Sequence, residues 1–396
     1  MRIGIITGEF PPMQGGVGDY SLELGRAMVT QGHEVFVLTS DRAVPAIQER
    51  GIHVQPSVAN WGRWGKQKPS DDRRGEVQAA QWVKANQLDV VNIQYQAAAY
   101  NMRVAANLLP ETLGNLAPVV TTFHDLLVPY LFPKAGSVRK KVVYRMARQS
   151  HGVIVTNRGD ERELAEQGHM PPVIRIPIGS NIAVQPPADY EKTAWREAHF
   201  LPHDAFLVGF FGFINRSKGV DTLAQAIRLL VDRGVNAHLL IVGGQAGASD
   251  QTNIQQADEA ERMVGGLGIS RRVHWTGFVT PEAVSAHLMA CDVVALPFRD
   301  GVSYRRGTLM ATLAHGCPIV TTFPQVDEPD LVDGQAMKMV LPDSPQKLAD
   351  ALRELAHDEA QRTRLGQAAS QLATQFSWEA ITAATLRFFE QLRASR

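Results

Sequence analysis

Residues 1–40, MRIGIITGEFPPMQGGVGDYSLELGRAMVTQGHEVFVLTS, read as one strand–helix–strand unit. RIGIIT (2–7) is a short, nearly unbroken apolar run, the pattern of a strand covered on both faces. Glycine and proline interrupt it between Gly8 and Gly18. From Tyr20 to Gln31 the apolar residues Leu22, Leu24, Ala27 and Met28 follow helical spacing, and Gly32 ends the run. EVFVLT (34–39) is a second buried strand. Strands joined through a helix pair in parallel, so the N-terminus opens an α/β sheet.

The same alternation continues outward. DVVNIQY, PVVTTFH, GVIVTN and VIRIPI extend the first series of strands; FLVGFFGF, AHLLIVGG, RVHWTGF, VVALPF and PIVTTF form a second, with helical patterns between them. A chain of 396 residues has the length of two domains. The polar, proline-containing stretch AVQPPADYEKTAWREAHFLP lacks a strand. The expected organisation is therefore an N-terminal Rossmann-like domain (1–182), a linker (183–202), a C-terminal Rossmann-like domain (203–376) and a closing helix (377–396) with Trp378, Ile381, Leu386 and Phe389 on its apolar side. Two open parallel sheets in series place a ligand cleft at the carboxyl ends of their strands.

Composition narrows the class. The hydrophobic fraction is 44%, the charged fraction 20% and the formal net charge zero, which argues against a nucleic-acid partner. Two cysteines, Cys291 and Cys317, in apolar surroundings suit a reducing compartment and offer neither a disulfide framework nor zinc spacing. The first strand is too short for a signal peptide, and no apolar run reaches the roughly 18 residues of a membrane span. A cytoplasmic protein is expected.

Two loops carry chemistry. In GEFPPMQGGVGDYS, Gly15, Gly16 and Gly18 let a ligand approach the backbone at a helix N-terminus, where phosphate is the expected guest. The spacing does not fit a dinucleotide fingerprint, because two prolines intervene and Ser21 stands where the third glycine would be. In FFGFINRSKGVDTL, Arg216 and Lys218 lie between a strand end and the next helix. Two cations and free amides there would neutralise a departing diphosphate.

Together with VHWTGFV, LAHGCPIVTT and FSWEAI, these loops resemble the ordered landmarks of family-four retaining glycosyltransferases over nearly the whole chain. The resemblance implies a GT-B fold: two Rossmann-like domains facing a central cleft, with the C-terminal helix crossing back to the N-terminal domain. It implies a nucleotide sugar held mainly by the C-terminal domain, an acceptor held mainly by the N-terminal one, and retention at the anomeric carbon. Gly15 and Gly16 match glycines near the donor phosphates, His124 in TTFHDLL matches a histidine lining the reacting sugar's pocket, and Lys218 matches the diphosphate lysine.

The chain departs from that family at the donor site. Phe213 stands where an arginine is usual, so Arg216 is expected to supply the charge. Ser303 and Ala311 occupy the two acidic positions of the E-x7-E segment. In their place FRDGVSYRRGTLMATLAHG offers Ser303, Tyr304, Arg305, Arg306 and Gly307 before a helix that Thr308 would cap and Gly316 would close. That loop is expected to grip the diphosphate, with Asp300 available for a sugar hydroxyl. No D-x-D pair occurs, and neither metal nor cofactor is expected.

On the acceptor side, Asp125 and His124 are general-base alternatives to the leaving phosphate itself. Trp61 and Trp64 either stack on a sugar ring or anchor their loop. The helix SVRKKVVYRMARQ, with Arg139, Lys140, Lys141, Arg145 and Arg148, is either a solvated face or a peripheral contact with anionic membrane. Two other functions share the fold: a non-catalytic binding protein, because both acids are replaced, and a nucleotide-sugar epimerase.

Overall fold

The computed structural model describes residues 1–13, 15–59, 61, 75–126, 136–244, 251–326 and 328–395. The chain forms two compact units, Met1–Gly179 with Ser377–Arg396, and Ser180–Phe376.

The first unit is built on a parallel sheet of β1 (Arg2–Thr7), β2 (Glu34–Ser40), β3 (Ile52–Val58), β4 (Val90–Tyr95), β5 (Val119–Phe123), β6 (Gly152–Val155) and β7 (Val173–Arg175), in the order β3-β2-β1-β4-β5-β6-β7. Every residue of β4 and β5 is buried, as expected of strands covered on both faces. Helices α1 (Gly16–Thr30), α2 (Gly75–Ala85), α3 (Leu109–Leu113), α4 (Gly136–Gln149) and α5 (Arg158–Ala165) cover it. The closing helix of the chain, Trp378–Ala394, also belongs here. Ser377 caps it by accepting from the Ala380 amide at 3.2 Å. It buries Ile381, Phe388 and Phe389 in the cluster that holds Ile3, Ile5, Met28 and Val120. Gly152 leaves room for it: a Cβ there would lie 2.7 Å from the Phe388 ring. Each such buried side chain contributes roughly 1.5–3 kcal/mol, so the first unit needs the end of the chain to complete its core.

The second unit repeats the plan with α6 (Lys192–Ala198), β8 (Phe206–Phe213), α7 (Val220–Asp232), β9 (Ala237–Gly244), α8 (Gln251–Gly266), β10 (Val273–Trp275), α9 (Pro281–Ala290), β11 (Val293–Leu296), α10 (Gly307–Ala314), β12 (Ile319–Thr322), β13 (Lys338–Val340), α11 (Pro345–His357) and α12 (Glu359–Ala373); the closing helix of the first unit is α13. Its strands are parallel in the order β10-β9-β8-β11-β12-β13. Leu223, Ile227 and Leu230 of α7 and Leu348, Leu352 and Leu355 of α11 pack in one cluster with Val208, Phe210, Leu239 and Ile241 of the strands.

The stretch expected as a linker, 183–202, is part of the second unit. The Gln185 amide donates to Ser285 Oγ at 3.1 Å. Arg196 of α6 is buried, donating to the Ala290 carbonyl at 2.7 Å and to Asp292 at 2.9 Å. Polar composition concealed the packing because the buried residue is itself an arginine, satisfied by carbonyls and a carboxylate. Both cysteines are buried and unbridged.

Candidate active site

In a doubly wound sheet the strand order reverses beside the first strand, and ligands settle at the carboxyl ends there. In the second unit that point lies between β8 and β11. Two loops leave it and are tied together: the Arg299 amide donates to the Ser217 carbonyl at 2.8 Å. Arg299 also forms ion pairs with Asp343 at 2.7 Å and with Asp221. Gly219 takes a left-handed φ of 64° before α7, and a Cβ there would lie 2.2 Å from the Pro297 carbonyl oxygen, so only glycine lets the loops approach this closely.

Lys218 is held at the same point. A Cβ built on Gly212, whose φ is 112°, would lie 2.5 Å from Lys218 Nζ and 2.7 Å from Thr308 Cγ2. The end of β8, the ammonium and the first turn of α10 therefore meet at one spot. Burial, and then the positive charge of Arg306, push the Lys218 pKa down to about 8. Helix α10 starts at Gly307 with Arg306 as its N-cap residue and no side-chain cap. Thr308, the expected cap, lies inside the helix, where its carbonyl accepts from Thr312 Oγ1 at 2.6 Å. Gly316 does follow the helix with a left-handed φ of 62°.

Arg306 is half-buried, its guanidinium 4.8 Å above the Phe298 ring and paired with Asp300. Asp300 Oδ1 is buried and has no hydrogen-bond partner among the described residues, so this carboxylate keeps one acceptor oxygen for a ligand. Arg305 and Ser303 are half-buried, the Arg305 amide donating to Ser303 Oγ at 3.4 Å. Arg216 and Phe213 are exposed. Tyr304, expected in the anion-gripping loop, is 3% exposed with its ring 4.8 Å from Phe376. Its side chain packs the loop down, leaving the arginines as the polar face. Ala311 is wholly buried within α10.

In the first unit the switch point lies between β1 and β4. The glycine-rich loop holds an anion of its own: Glu9 Oε1 accepts from the Val17 and Gly18 amides at 3.0 and 3.3 Å. Burial raises the Glu9 pKa, and the two amide hydrogen bonds oppose the rise. The carboxylate explains Gly15, where a Cβ would lie 2.2 Å from Glu9 Cδ, and the nearby backbone explains Gly18, where it would lie 3.1 Å from the Glu9 carbonyl. Gly16 differs. Its φ is not left-handed, and a Cβ there meets no described atom within 4 Å. Nothing described in the protein requires glycine at 16, whereas Gly15 serves the internal carboxylate.

His124 follows β5, with Nε2 2.9 Å from Gln94 Oε1 and its ring edge-on to Tyr20 at 4.8 Å. Burial pushes its pKa down to about 4, so the ring is neutral near pH 7. Asp125 accepts from Gln96 Nε2 at 2.9 Å. Trp61 is buried with its ring 5.1 Å from Tyr100; Trp64 lies outside the described residues, as does the Arg139 side chain. The cations of α4 are largely engaged within the protein: Lys140 pairs with Glu163 at 3.1 Å, Arg145 pairs with Glu111 at 2.7 Å and Arg148 donates to the Gln167 carbonyl at 3.1 Å. Among the described residues no helix is long and apolar enough to cross a membrane.

Sequence reasoning missed Glu9, Asn92 and Gln94. The signals were present: an acid between the first strand and the glycine loop, and two amides two residues apart in an otherwise apolar strand.

Two parallel doubly wound sheets, the second with cationic residues gathered at its switch point, define the GT-B class. The chain carries two glycosyltransferase domains in succession: the model described as Glycosyltransferase Family 4 matches residues 14–183, and the model described as Glycosyl transferases group 1 matches residues 205–358. It is 26% identical to a D-inositol 3-phosphate glycosyltransferase of Corynebacterium diphtheriae over 96% of this chain and 92% of that protein. It is 25% identical to a phosphatidyl-myo-inositol mannosyltransferase of Mycolicibacterium smegmatis over 98% and 94%. A match to the D-inositol 3-phosphate glycosyltransferase of Corynebacterium urealyticum reaches 31% but spans 57% of this chain and only 54% of that protein. Among solved structures, sucrose-phosphate synthase of Thermosynechococcus elongatus superposes with a TM-score of 0.79 at 19% identity, covering both chains in full. HepE of Anabaena in complex with UDP superposes with a TM-score of 0.78 at 18% identity, over 99% of this chain and 100% of that one.

Proposed function

We propose that this glycosyltransferase moves a sugar from a nucleoside-diphosphate donor, bound by the second unit, to a hydroxyl of an acceptor bound by the first, with retention and without a divalent cation. The observation that carries the reading is the meeting of Lys218, the end of β8 and the uncapped start of α10 at Gly212. A diphosphate there would gain the ammonium, helix-end amides and the guanidinium groups of Arg305 and Arg306, with Arg216 arriving from the exposed loop. These cations take the role that a metal plays in other transferases: they stabilise the negative charge that grows on the leaving group as the anomeric carbon becomes oxocarbenium-like.

Asp300 is assigned to a sugar hydroxyl through Oδ1, with Arg306 fixing its other oxygen. Gly16 is assigned to close approach of the donor phosphates, and neutral His124 to the wall of the reacting sugar's pocket. The leaving phosphate takes the acceptor's proton, on the face it departs from. HepE has been crystallised with UDP and with UDP-glucose, which makes uridine donors the first to test. The D-inositol 3-phosphate in the names of the corynebacterial relatives supports a phosphorylated polyol as acceptor. The free buried cysteines support a cytoplasmic location, and Lys141 with its neighbours is the surface that would touch anionic lipid.

The test is incubation of the chelator-treated enzyme with labelled nucleotide sugars and a panel of polyol phosphates, the product's anomeric configuration being read by NMR. Transfer with retention is expected. Inversion, or activity only after a divalent cation is restored, would overturn this reading.

A further inference from the structure

One face of β4 and β5 is unusual. It packs with α1 and α13 through Val90 and Val120 in an apolar cluster, yet it also carries Asn92, Gln94 and Thr122. All three are buried, Asn92 and Gln94 completely. Amides and hydroxyls taken out of water destabilise the fold unless each finds a partner. Here they find one another in a chain whose direction can be worked out from one end.

The Val120 carbonyl can only accept, and the nearest Asn92 side-chain atom lies 3.1 Å from it, so that atom is the nitrogen. The same Nδ2 donates to Thr122 Oγ1 at 2.9 Å. Asn92 Oδ1 is therefore turned toward Gln94, and Gln94 must present its own nitrogen there. Gln94 Oε1 is left facing His124 Nε2 at 2.9 Å. An amide oxygen cannot donate, so the proton of the neutral imidazole resides on Nε2. Tyr20, edge-on to the ring, limits its rotation. Nδ1 then carries the lone pair.

We propose that Asn92 and Gln94 are positioning residues that lock His124 in its Nε2–H tautomer, so that the histidine meets a substrate hydroxyl as a hydrogen-bond acceptor through Nδ1. The proposal rests on the assignment of His124 to the sugar pocket. It adds what that assignment leaves open: which nitrogen works, in which direction, and which buried residues decide it. It also accounts for amides in an apolar strand, where Leu or Val would pack without needing partners.

The test uses the full-length protein with ¹⁵N-labelled histidine, the His124 signals being identified by their loss in His124→Asn. The wild-type spectrum should show a protonated Nε2 and an unprotonated Nδ1 between pH 8 and pH 5. An Nδ1-protonated ring overturns the proposal, and this reading needs no other variant to fold. Gln94→Met, similar in length but with only a weakly accepting sulfur in place of the amide oxygen, should give a mixture of tautomers. Its kcat should fall on the order of ten-fold while the donor KM stays within about two-fold. An unchanged kcat in Gln94→Met with a disturbed tautomer overturns the positioning role. Wild-type turnover in His124→Asn overturns the assignment beneath it, and is told apart because the wild-type tautomer is measured without substrate.

Discussion

Replacing Gly16 by alanine should strengthen the protein and weaken the enzyme. Gly16 is the first residue of α1, its φ is not left-handed, and an added Cβ meets no described atom within 4 Å. Alanine there loses less backbone freedom on folding, which stabilises by about 0.4–1 kcal/mol. For units of this size that raises the melting temperature by roughly 1–4 °C. The same methyl group would stand where the donor phosphates are proposed to approach, and a lost close contact of this kind weakens binding by about 1–3 kcal/mol, or roughly five- to 150-fold. Gly15→Ala is the control with the opposite sign. Its Cβ would lie 2.2 Å from Glu9 Cδ, so the carboxylate must leave the Val17 and Gly18 amides. The expected loss is about 1–3 kcal/mol of stability. Differential scanning fluorimetry of both variants, alone and with nucleoside diphosphate, separates the effects. A destabilised Gly16→Ala, or one that binds donor as the wild type does, would refute the reasoning.

Three further expectations follow from the second unit. The Lys218 pKa is lowered to about 8, so its ammonium is complete below pH 7 and lost as pH rises through 8; donor affinity should be level below that value and fall up to about ten-fold per pH unit above it, measured by calorimetry, whereas Lys218→Arg should flatten the profile. Asp300→Asn keeps a side-chain oxygen but loses the charge paired with Arg306; it should raise the KM for the nucleotide sugar several-fold while leaving the affinity for the bare nucleoside diphosphate nearly unchanged, as a competition assay would read. Arg196→Ala removes the guanidinium from the Ala290 carbonyl and leaves Asp292 with the Leu207 amide and Lys192, and should lower the unfolding free energy by about 1–3 kcal/mol in urea titrations.

The fold was legible because parallel strands covered on both faces have a distinctive sequence. RIGIIT, EVFVLT, VVALPF and PIVTTF are apolar without alternation, and glycine or proline marks their ends. The linker was misread for the converse reason. Helix α6 is short, and its anchoring residue is Arg196, a residue type that usually signals surface. Lys218 and Arg306 could be placed from their neighbours in the chain, because strand ends and helix starts fix where such residues lie. Thr308 could not, since the two-residue shift in the start of α10 moves it from cap to interior. Tyr304 was grouped with the arginines by adjacency, yet alternate residues of a loop face opposite ways and its ring went inward. Glu9 and Gln94 act on groups eight and thirty residues away, and only the folded register brings them there.

The central claim is that Lys218 and the start of α10 form a diphosphate site that works without metal. The most direct measurement is the thermal shift of the chelator-treated protein with UDP, GDP and ADP, beside Lys218→Ala. One nucleotide is expected to raise the wild-type melting temperature by several degrees at about 100-fold excess over Kd, where binding contributes about 2.7 kcal/mol, and to leave Lys218→Ala unmoved. Equal stabilisation of both proteins, or stabilisation of the wild type only when magnesium or manganese is added, would contradict it.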